Sequence, residues 1–175
     1  GKICGTCLTA PPPFDAALAA VDYRAPWDRL VTAFKFHGAL DLAAVFSEAI
    51  VSAERRRASA TRPSLVLPVP LAAARWRERG YNQAWELARR LGRRLRCKAD
   101  PTLLLRIRDT PRQLALAATE RAANVRGAFA IEPRRRAALR HATVALVDDV
   151  MTTGATVTEI ATVLRRNPRW WGDAE

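Results

Sequence analysis

The stretch Thr143-Val-Ala-Leu-Val-Asp-Asp-Val-Met-Thr-Thr-Gly-Ala-Thr156 contains the clearest fold signal in the chain. Val144–Val147 is a short apolar run, typical of a buried strand in a parallel sheet. Asp148 and Asp149 follow at its carboxyl end, where open α/β sheets bind their ligands. Apolar residues after the loop are spaced as on one face of a helix, which predicts a strand, a loop and a helix in succession. They are Val157, Ile160, Ala161 and Leu164.

The loop between the predicted strand and helix has the composition of a phosphate site. Backbone N–H groups at a helix N-terminus lack partners, and the helix dipole favours an anion there. Gly154 lets the backbone approach a ligand closely, and the neighbouring threonine hydroxyls add donors. Ionised Asp148 and Asp149 accept hydrogen bonds, which suits sugar hydroxyls. These features predict a ribose 5-phosphate site; the alternative is an ordinary strand, turn and helix with two adjacent aspartates by chance.

The same stretch resembles the motif of type I phosphoribosyltransferases that binds phosphoribosyl pyrophosphate (PRPP). Both have four apolar residues, two acidic residues and a Thr-Thr-Gly-Ala-Thr loop. The resemblance implies that Asp148 and Asp149 are catalytic and hold the ribose hydroxyls, while the loop wraps the 5-phosphate. The loop residues so assigned are Val150, Met151, Thr152, Thr153, Gly154, Ala155 and Thr156. A Walker A loop is excluded, because no Gly-Lys-Ser/Thr follows.

Length and composition predict one globular domain. The chain has 175 residues, of which 49% are apolar, enough for a buried core with little left for a second domain. No stretch approaches the roughly 20 apolar residues of a membrane span, so no membrane partner is expected. The start, Gly-Lys-Ile-Cys, does not resemble a signal peptide, so a cytoplasmic location is expected.

The charge balance is strongly basic. Lysine and arginine number 29 against 17 acidic residues, a formal net charge of +12. Such an excess can attract nucleic acid or polyphosphate. The arginines are spread along the chain among many alanines, so a compositional bias with solvated faces remains the alternative to a dedicated DNA surface.

Cys4 and Cys7 have the spacing of half a tetrahedral zinc site. A closed structural site needs four ligands, and Cys97 stands alone in the sequence. Either residues before Gly1 supply a second pair in the full-length natural protein, which would then bind Zn²⁺, or the pair is idle. The chain as written is expected to bind zinc poorly.

The predicted organisation has three parts within one domain. Residues 1–13 form a partial cysteine knuckle with a proline spacer, and residues 14–62 form a helical segment whose first helix stops near Gly38. Residues 63–175 form an α/β core. Its first strand is Leu65–Pro70, whose prolines indicate either the end of the strand or an edge position. An arginine-rich loop and an amphipathic helix follow that strand.

Two further segments narrow the resemblance to the ComF (GntX-like) family of phosphoribosyltransferase-domain proteins. They are Lys35-Phe36-His37-Gly38 and Arg79-Gly-Tyr-Asn-Gln83. The resemblance implies a type I phosphoribosyltransferase fold, with a mainly parallel central sheet flanked by helices and a short zinc-knuckle-like start. By position it also implies pyrophosphate contacts. The residues are Lys35, Arg75, Arg79 and Gly80, and the alternative for any one arginine is a solvent-facing charge.

The region between the two motif-bearing strands also resembles the family. Residues 102–108 predict a strand, residues 109–113 a break, residues 114–126 a helix and residues 127–131 another strand. In type I enzymes this region is the mobile hood that closes over the reacting centre and excludes water. The alternative is a surface helix and turn. The arginine-rich segment at 133–136 predicts a solvated connector.

The C-terminus departs from the family pattern, which continues into a last strand. Pro168 would break the helix. Trp170 and Trp171 then cover an exposed apolar surface or form a homodimer contact.

The function implied by the resemblance is transfer of the phosphoribosyl group from PRPP to an unknown acceptor, with release of pyrophosphate. Mg²⁺ would accompany PRPP, held mostly by its oxygens and water. Two alternatives remain open: a PRPP-sensing regulator without turnover, and a DNA-handling accessory protein of natural transformation. The partners of the latter would be single-stranded DNA or a helicase.

Overall fold

A parallel three-stranded sheet forms the centre of the molecule in a computed structural model that describes residues 5–57, 62–109 and 118–166. The order is β2-β1-β5, with β1 at Leu65–Pro68, β2 at Lys98–Ala99 and β5 at Val144–Val147. Leu67 lies opposite Leu146 in the register. The predicted α/β class with a parallel sheet flanked by helices is confirmed.

The elements around this sheet include the predicted ones in the predicted order, together with α1, α4 and β2, which were not predicted. The helices are α1 at Gly5–Thr9, α2 at Trp27–Phe36, α3 at Leu42–Arg56, α4 at Ala73–Arg79, α5 at Gln83–Leu95, α6 at Ala118–Val125 and α7 at Ala155–Arg165, with a 3₁₀ helix at Pro133–Leu139 and strands β3 at Leu104–Arg106 and β4 at Phe129–Ile131. The predicted loop after β1 is therefore helical in part, and the predicted connector at 133–136 belongs to the 3₁₀ helix.

The prolines of the first strand mark its end and not a sheet edge. Strand β1 is the middle strand, so the edge alternative is wrong. Pro68 is its last residue, and the next residue, Val69, again donates its N–H to the carbonyl of Val147 at 2.9 Å. The missing N–H of proline therefore costs the sheet little where the strand is ending.

Both faces of the sheet are buried, and successive side chains of β1 point to opposite faces. Leu65 and Leu67 belong to a core that includes α7, β3 and β4. Val66 belongs to a second core with α2, α3 and α5. Helices α2 and α3 are joined there by Phe34 and Phe46, whose ring centroids are 5.4 Å apart. The N-terminal helices thus share a core with the sheet.

Strands β3 and β4 form a separate antiparallel pair, in which Leu104 lies opposite Ile131. Helix α6 lies between them in sequence and packs with α7. Asp109, just after β3, accepts a hydrogen bond from the backbone N–H of Ala73 at 3.1 Å. This contact ties the base of the predicted hood segment to the start of α4.

Several predicted features lie outside the described residues. They are Cys4, the part of the hood loop at 110–117, Pro168, Trp170, Trp171 and any final strand. Among the described helices, none is long and apolar enough to cross a bilayer.

Candidate functional site

The predicted loop starts where β5 ends and finishes where α7 begins. Asp148 and Asp149 follow the last strand residue, and Asp148 accepts a hydrogen bond from the Asp149 N–H at 2.9 Å. Gly154 is the N-cap of α7 with a φ of 74°, a left-handed conformation that glycine adopts without strain. The N–H groups of the first turn of α7 have no partner within the helix. The local sequence therefore folds as a strand, an acid pair, a small-residue loop and an open helix N-terminus.

This loop borders a cavity of about 160 Å³. The lining includes the whole loop, one of the two aspartates and side chains from three other segments. The lining residues are Arg75, Arg106, Asn124, Val125, Asp148 and Val150–Val157. Residues separated by more than 80 positions in the sequence therefore meet at the carboxyl end of β5.

Two arginines from different elements line this cavity. Arg75 comes from α4, and Arg106 is the last residue of β3. Burial, and then the neighbouring charge of Arg75, lower the pKa of Arg106 from its ordinary value, while Asp109 and Asp148 act in the opposite direction. Arg106 also lies over the ring of Phe129, 5.3 Å from its centroid. Two like charges at one cavity favour an anionic occupant.

The acid pair is partly neutralised within the protein. Burial, followed by the neighbouring charge of Asp149, raises the pKa of Asp148 to about 7, and Lys35 acts against this rise. The Lys35 ammonium lies 3.0 Å from an Asp149 carboxylate oxygen, and the Asp149 side chain is 11% exposed. A shared site for two carboxylates raises the pKa of one of them, as expected from like-charge repulsion in a poorly solvated position.

The four residues predicted to contact pyrophosphate lie in different places. Arg75 lines the cavity, whereas Lys35 contacts Asp149. Arg79 donates to the side-chain oxygen of Gln83 at 3.2 Å and stacks on Phe36, 4.9 Å from the ring centroid. Gly80 ends α4 with a φ of 76° and is not part of the cavity lining.

Sequence reasoning did not assign a site role to Arg106, Asn124 or Val125, all of which line the cavity. The sequence does mark Arg106 as a charged residue between apolar neighbours, Leu105 and Ile107, within a predicted strand. Asn124 and Val125 end α6, in the region that resembles the hood of type I enzymes. Their approach to the loop depends on the packing of α6 against α7, which no local pattern indicates.

The residues present give little support for a metal cage made by the protein alone. Within residues 5–57, 62–109 and 118–166, no three histidine, cysteine, aspartate or glutamate side chains are grouped to hold a metal ion. Cys7 lies half-buried in α1. A magnesium ion that arrives with PRPP fits this site only if PRPP and water supply most of its ligands.

The chain is similar in sequence to known bacterial proteins. It is 36% identical over 167 residues to "DNA utilization protein YhgH" of Escherichia coli K12, covering 94% of this chain and 72% of the relative. It is 35% identical to the protein of the same name in Salmonella typhimurium, with the same coverage. Identity to "Competence protein F" of Haemophilus influenzae is 34%, covering 93% of this chain and 72% of the relative.

The chain belongs to the ComF family. This membership confirms the family predicted from Lys35–Gly38, Arg79–Gln83 and the Asp148–Thr156 loop. No protein-family model and no solved structure matched the sequence. The ComF relatives extend beyond the matched region, which covers 72% of their length.

Proposed function

We propose that this ComF-family chain binds PRPP at the cavity beside Asp148–Thr156 and has a type I phosphoribosyltransferase fold. The observation that carries the proposal is the cavity itself. It joins the N-terminus of α7, Asp148 of the acid pair and two arginines at the carboxyl end of a parallel strand. PRPP carries a 5-phosphate, two free ribose hydroxyls and a pyrophosphate, so each part of the ligand has a matching group.

In this proposal each group of the site has one task. The N–H groups and hydroxyls of Thr152–Thr156 bind the 5-phosphate. Asp148 and Asp149 accept hydrogen bonds from the ribose hydroxyls. Arg75 and Arg106, which line the same cavity, neutralise the pyrophosphate. Arginine suits this task because its planar guanidinium binds phosphate oxygens in a bidentate manner.

The reaction supported by this arrangement is phosphoribosyl transfer. The bond between the ribose C1 and the pyrophosphate oxygen breaks, a bond from C1 to the acceptor forms, and the acceptor loses a proton. Positive charge develops at C1, so the protein contributes mainly by positioning the sugar and stabilising the leaving group. When bound, Mg²⁺ would neutralise part of the pyrophosphate charge. The proposal does not assign the acceptor.

Thermal denaturation tests the binding step. PRPP with Mg²⁺ should raise the melting temperature, because a ligand that binds only the folded state stabilises it. The double variant Asp148→Asn/Asp149→Asn should lose this shift. Asp22→Asn/Asp41→Asn removes the same charge from exposed positions and should keep it. An unchanged melting temperature in the parent protein, or equal shifts in both double variants, would contradict the proposal.

A non-catalytic or DNA-handling role is the second candidate, favoured by the names of the relatives, which refer to DNA utilization and competence. A competence-related role is compatible with either activity. A second cavity of about 220 Å³ gives this candidate a location. Its arginines are Arg55, Arg62, Arg94 and Arg96. Pyrophosphate release with PRPP and a panel of nucleobases separates a transferase from a protein that only binds PRPP.

A further inference from the structure

Lys35 reaches the acid pair from a distant part of the chain. It belongs to the last turn of α2, and 114 positions separate it from Asp149. Its ammonium nevertheless lies 3.0 and 3.1 Å from the two Asp149 carboxylate oxygens. A lysine side chain is long and flexible, so such a contact is maintained only if the helix end that carries it is held in place.

The end of α2 is held by side chains of Tyr81, between α4 and α5, and of Gln83, the first residue of α5. The last carbonyls of a helix have no partner within the helix. The Tyr81 hydroxyl donates to the carbonyl of Phe34 at 2.7 Å, and the Gln83 side-chain amide donates to the carbonyl of Lys35 at 3.0 Å. Two consecutive orphan carbonyls, including that of Lys35 itself, are thereby satisfied from one neighbouring segment.

Arg79 completes this contact. Its guanidinium donates to the side-chain oxygen of Gln83 and stacks on the ring of Phe36. Gln83 is 1% exposed, and both ends of its side-chain amide are bonded within the protein: the nitrogen donates to the Lys35 carbonyl, and the oxygen accepts from Arg79. Three side chains of the Arg79–Gln83 segment thus contact three consecutive residues of α2, Phe34, Lys35 and Phe36.

We propose that Arg79, Tyr81 and Gln83 form a clamp that positions Lys35 as the resident counter-ion of the acid pair. The clamp residues act on the PRPP site through Lys35 and do not contact the ligand. The link of the clamp to PRPP rests on the proposed function. The Arg-Gly-Tyr-Asn-Gln segment is then a positioning device for the ribose end of the site, in contrast to the pyrophosphate role expected for Arg79 from the sequence.

Charged groups from three elements lie around this site: Lys35 from α2 contacts Asp149, Arg106 from β3 interacts with Asp148, and Arg75 from α4 lines the same cavity as Asp148. Lys35 and Arg106 each interact electrostatically with Asp148, and the charge of Lys35 lowers the Asp148 pKa. Moving Lys35 away while leaving both arginines in place should therefore raise the pH at which Asp148 titrates. That shift reports the position of Lys35 without any ligand.

A double-mutant cycle on the ligand-free protein tests the clamp. Aspartate carboxyl signals are followed by ¹³C NMR as the pH changes, and Asp148→Asn identifies the Asp148 signal. Lys35→Met should raise its titration midpoint, and Tyr81→Phe should raise it less. In the Lys35→Met background, Tyr81→Phe should add no shift, because its effect passes through Lys35. Tyr23→Phe, at an exposed position, is the matched control and should leave the midpoint unchanged.

Two results would overturn the inference. One is a Tyr81→Phe midpoint equal to that of the parent, and the other is an equal Tyr81→Phe shift with and without Lys35. If Tyr81→Phe does not fold, Gln83→Met replaces it, since the variant loses the donor to the Lys35 carbonyl without adding a charge near the acid pair. The shift in melting temperature with PRPP is a separate measurement. If Tyr81→Phe raises the Asp148 midpoint only when Lys35 is present, but PRPP does not raise the melting temperature, the counter-ion role is supported and PRPP is excluded as the ligand.

Discussion

Asp148 occupies the position in the site where a negative charge is most disfavoured by the protein. It is crowded by Asp149 in a poorly solvated position, so burial and like-charge repulsion place its pKa at about 7. A residue kept in such a position weakens the folded state when it ionises. Binding sites commonly retain groups of this kind, because the ligand supplies what the empty site lacks.

Replacing Asp148 by asparagine should stabilise the ligand-free protein at alkaline pH. The pKa of Asp148 in the folded protein lies above that of an unfolded aspartate, so its stabilising effect is complete below about pH 4 and is lost as the pH rises through about 7. The Asp148→Asn variant cannot ionise there and should be more stable at pH 8, by roughly 2–4 kcal/mol.

Urea denaturation of both proteins at pH 4 and pH 8 checks this expectation. The difference should fall to about 0.5 kcal/mol or less at pH 4, where Asp148 carries a proton in the folded protein and an unfolded aspartate is about half protonated. Asp41→Asn, at an exposed site, is the control and should show no comparable change between the two pH values. An Asp148→Asn protein less stable than the parent at pH 8 would show that ionised Asp148 is stabilised by its surroundings.

At the residue scale, the features that could be predicted are those that depend on neighbouring positions in the sequence. Asp148 and Asp149 are neighbours in the chain, and Gly154 takes the left-handed conformation that its loop requires. The partners of the acid pair could not be predicted in the same way. Lys35 reaches Asp149, and Arg106 reaches the cavity, only because separate helices and strands pack at one end of the sheet.

At the scale of the element, Asn82 connects the clamp segment to the central sheet. Its side-chain oxygen accepts from the N–H of Ala84 at 2.9 Å and of Trp85 at 3.4 Å, which caps the start of α5. Its side-chain nitrogen donates to the carbonyl of Val69 at 3.0 Å, just beyond β1. Asn82 is 8% exposed, so water cannot easily replace these bonds.

Asn82→Ala should therefore destabilise the protein by about 2–3 kcal/mol, because it removes a helix cap and leaves a buried carbonyl unsatisfied. The control is Asp41→Ala, which removes the N-cap side chain of α3, where the aspartate makes no capping bond. That change should cost less than about 0.5 kcal/mol. Chemical denaturation of both variants gives the comparison, and similar losses for the two would contradict the assigned role of Asn82.

Elements that bury a regular apolar face were predictable, and elements without one were not. Helix α5 has such a face, with Leu87 and Leu91 buried, and it was predicted from that spacing. Helix α4 has no buried residue and an exposed Trp76, so hydrophobic periodicity could not reveal it. Strand β2 is only Lys98–Ala99 and exists because β1 pairs with it.

At the scale of the whole molecule, the two cavities lie at opposite ends of the sheet. The proposed PRPP site follows the end of β5, whereas Arg62 and Pro63 of the second cavity precede the start of β1, which runs parallel to β5. The net charge of +12 alone could not reveal this separation. Folding is what brings Arg55, at the end of α3, beside Arg96, at the end of α5.

If the chain handles DNA, the second cavity is where the phosphate backbone should bind. Replacing Arg55, Arg62 and Arg96 by glutamine removes three charges and keeps a polar side chain at each position. For single-stranded DNA, losing three phosphate contacts should flatten the dependence of log K on log salt by about two units. Fluorescence anisotropy of a labelled oligo(dT) across a salt series measures this slope.

The matched control carries the same substitutions at Arg134, Arg136 and Arg140, three exposed arginines in and after the 3₁₀ helix. Its net charge falls equally, so long-range attraction weakens to the same extent in both triple variants, and only direct phosphate contacts distinguish them. A smaller salt slope confined to the cavity variant would locate DNA binding at the end of the sheet opposite the acid pair. Equal slopes in both would mean that the basic charge acts as a diffuse field, and the DNA-handling candidate would lose its site.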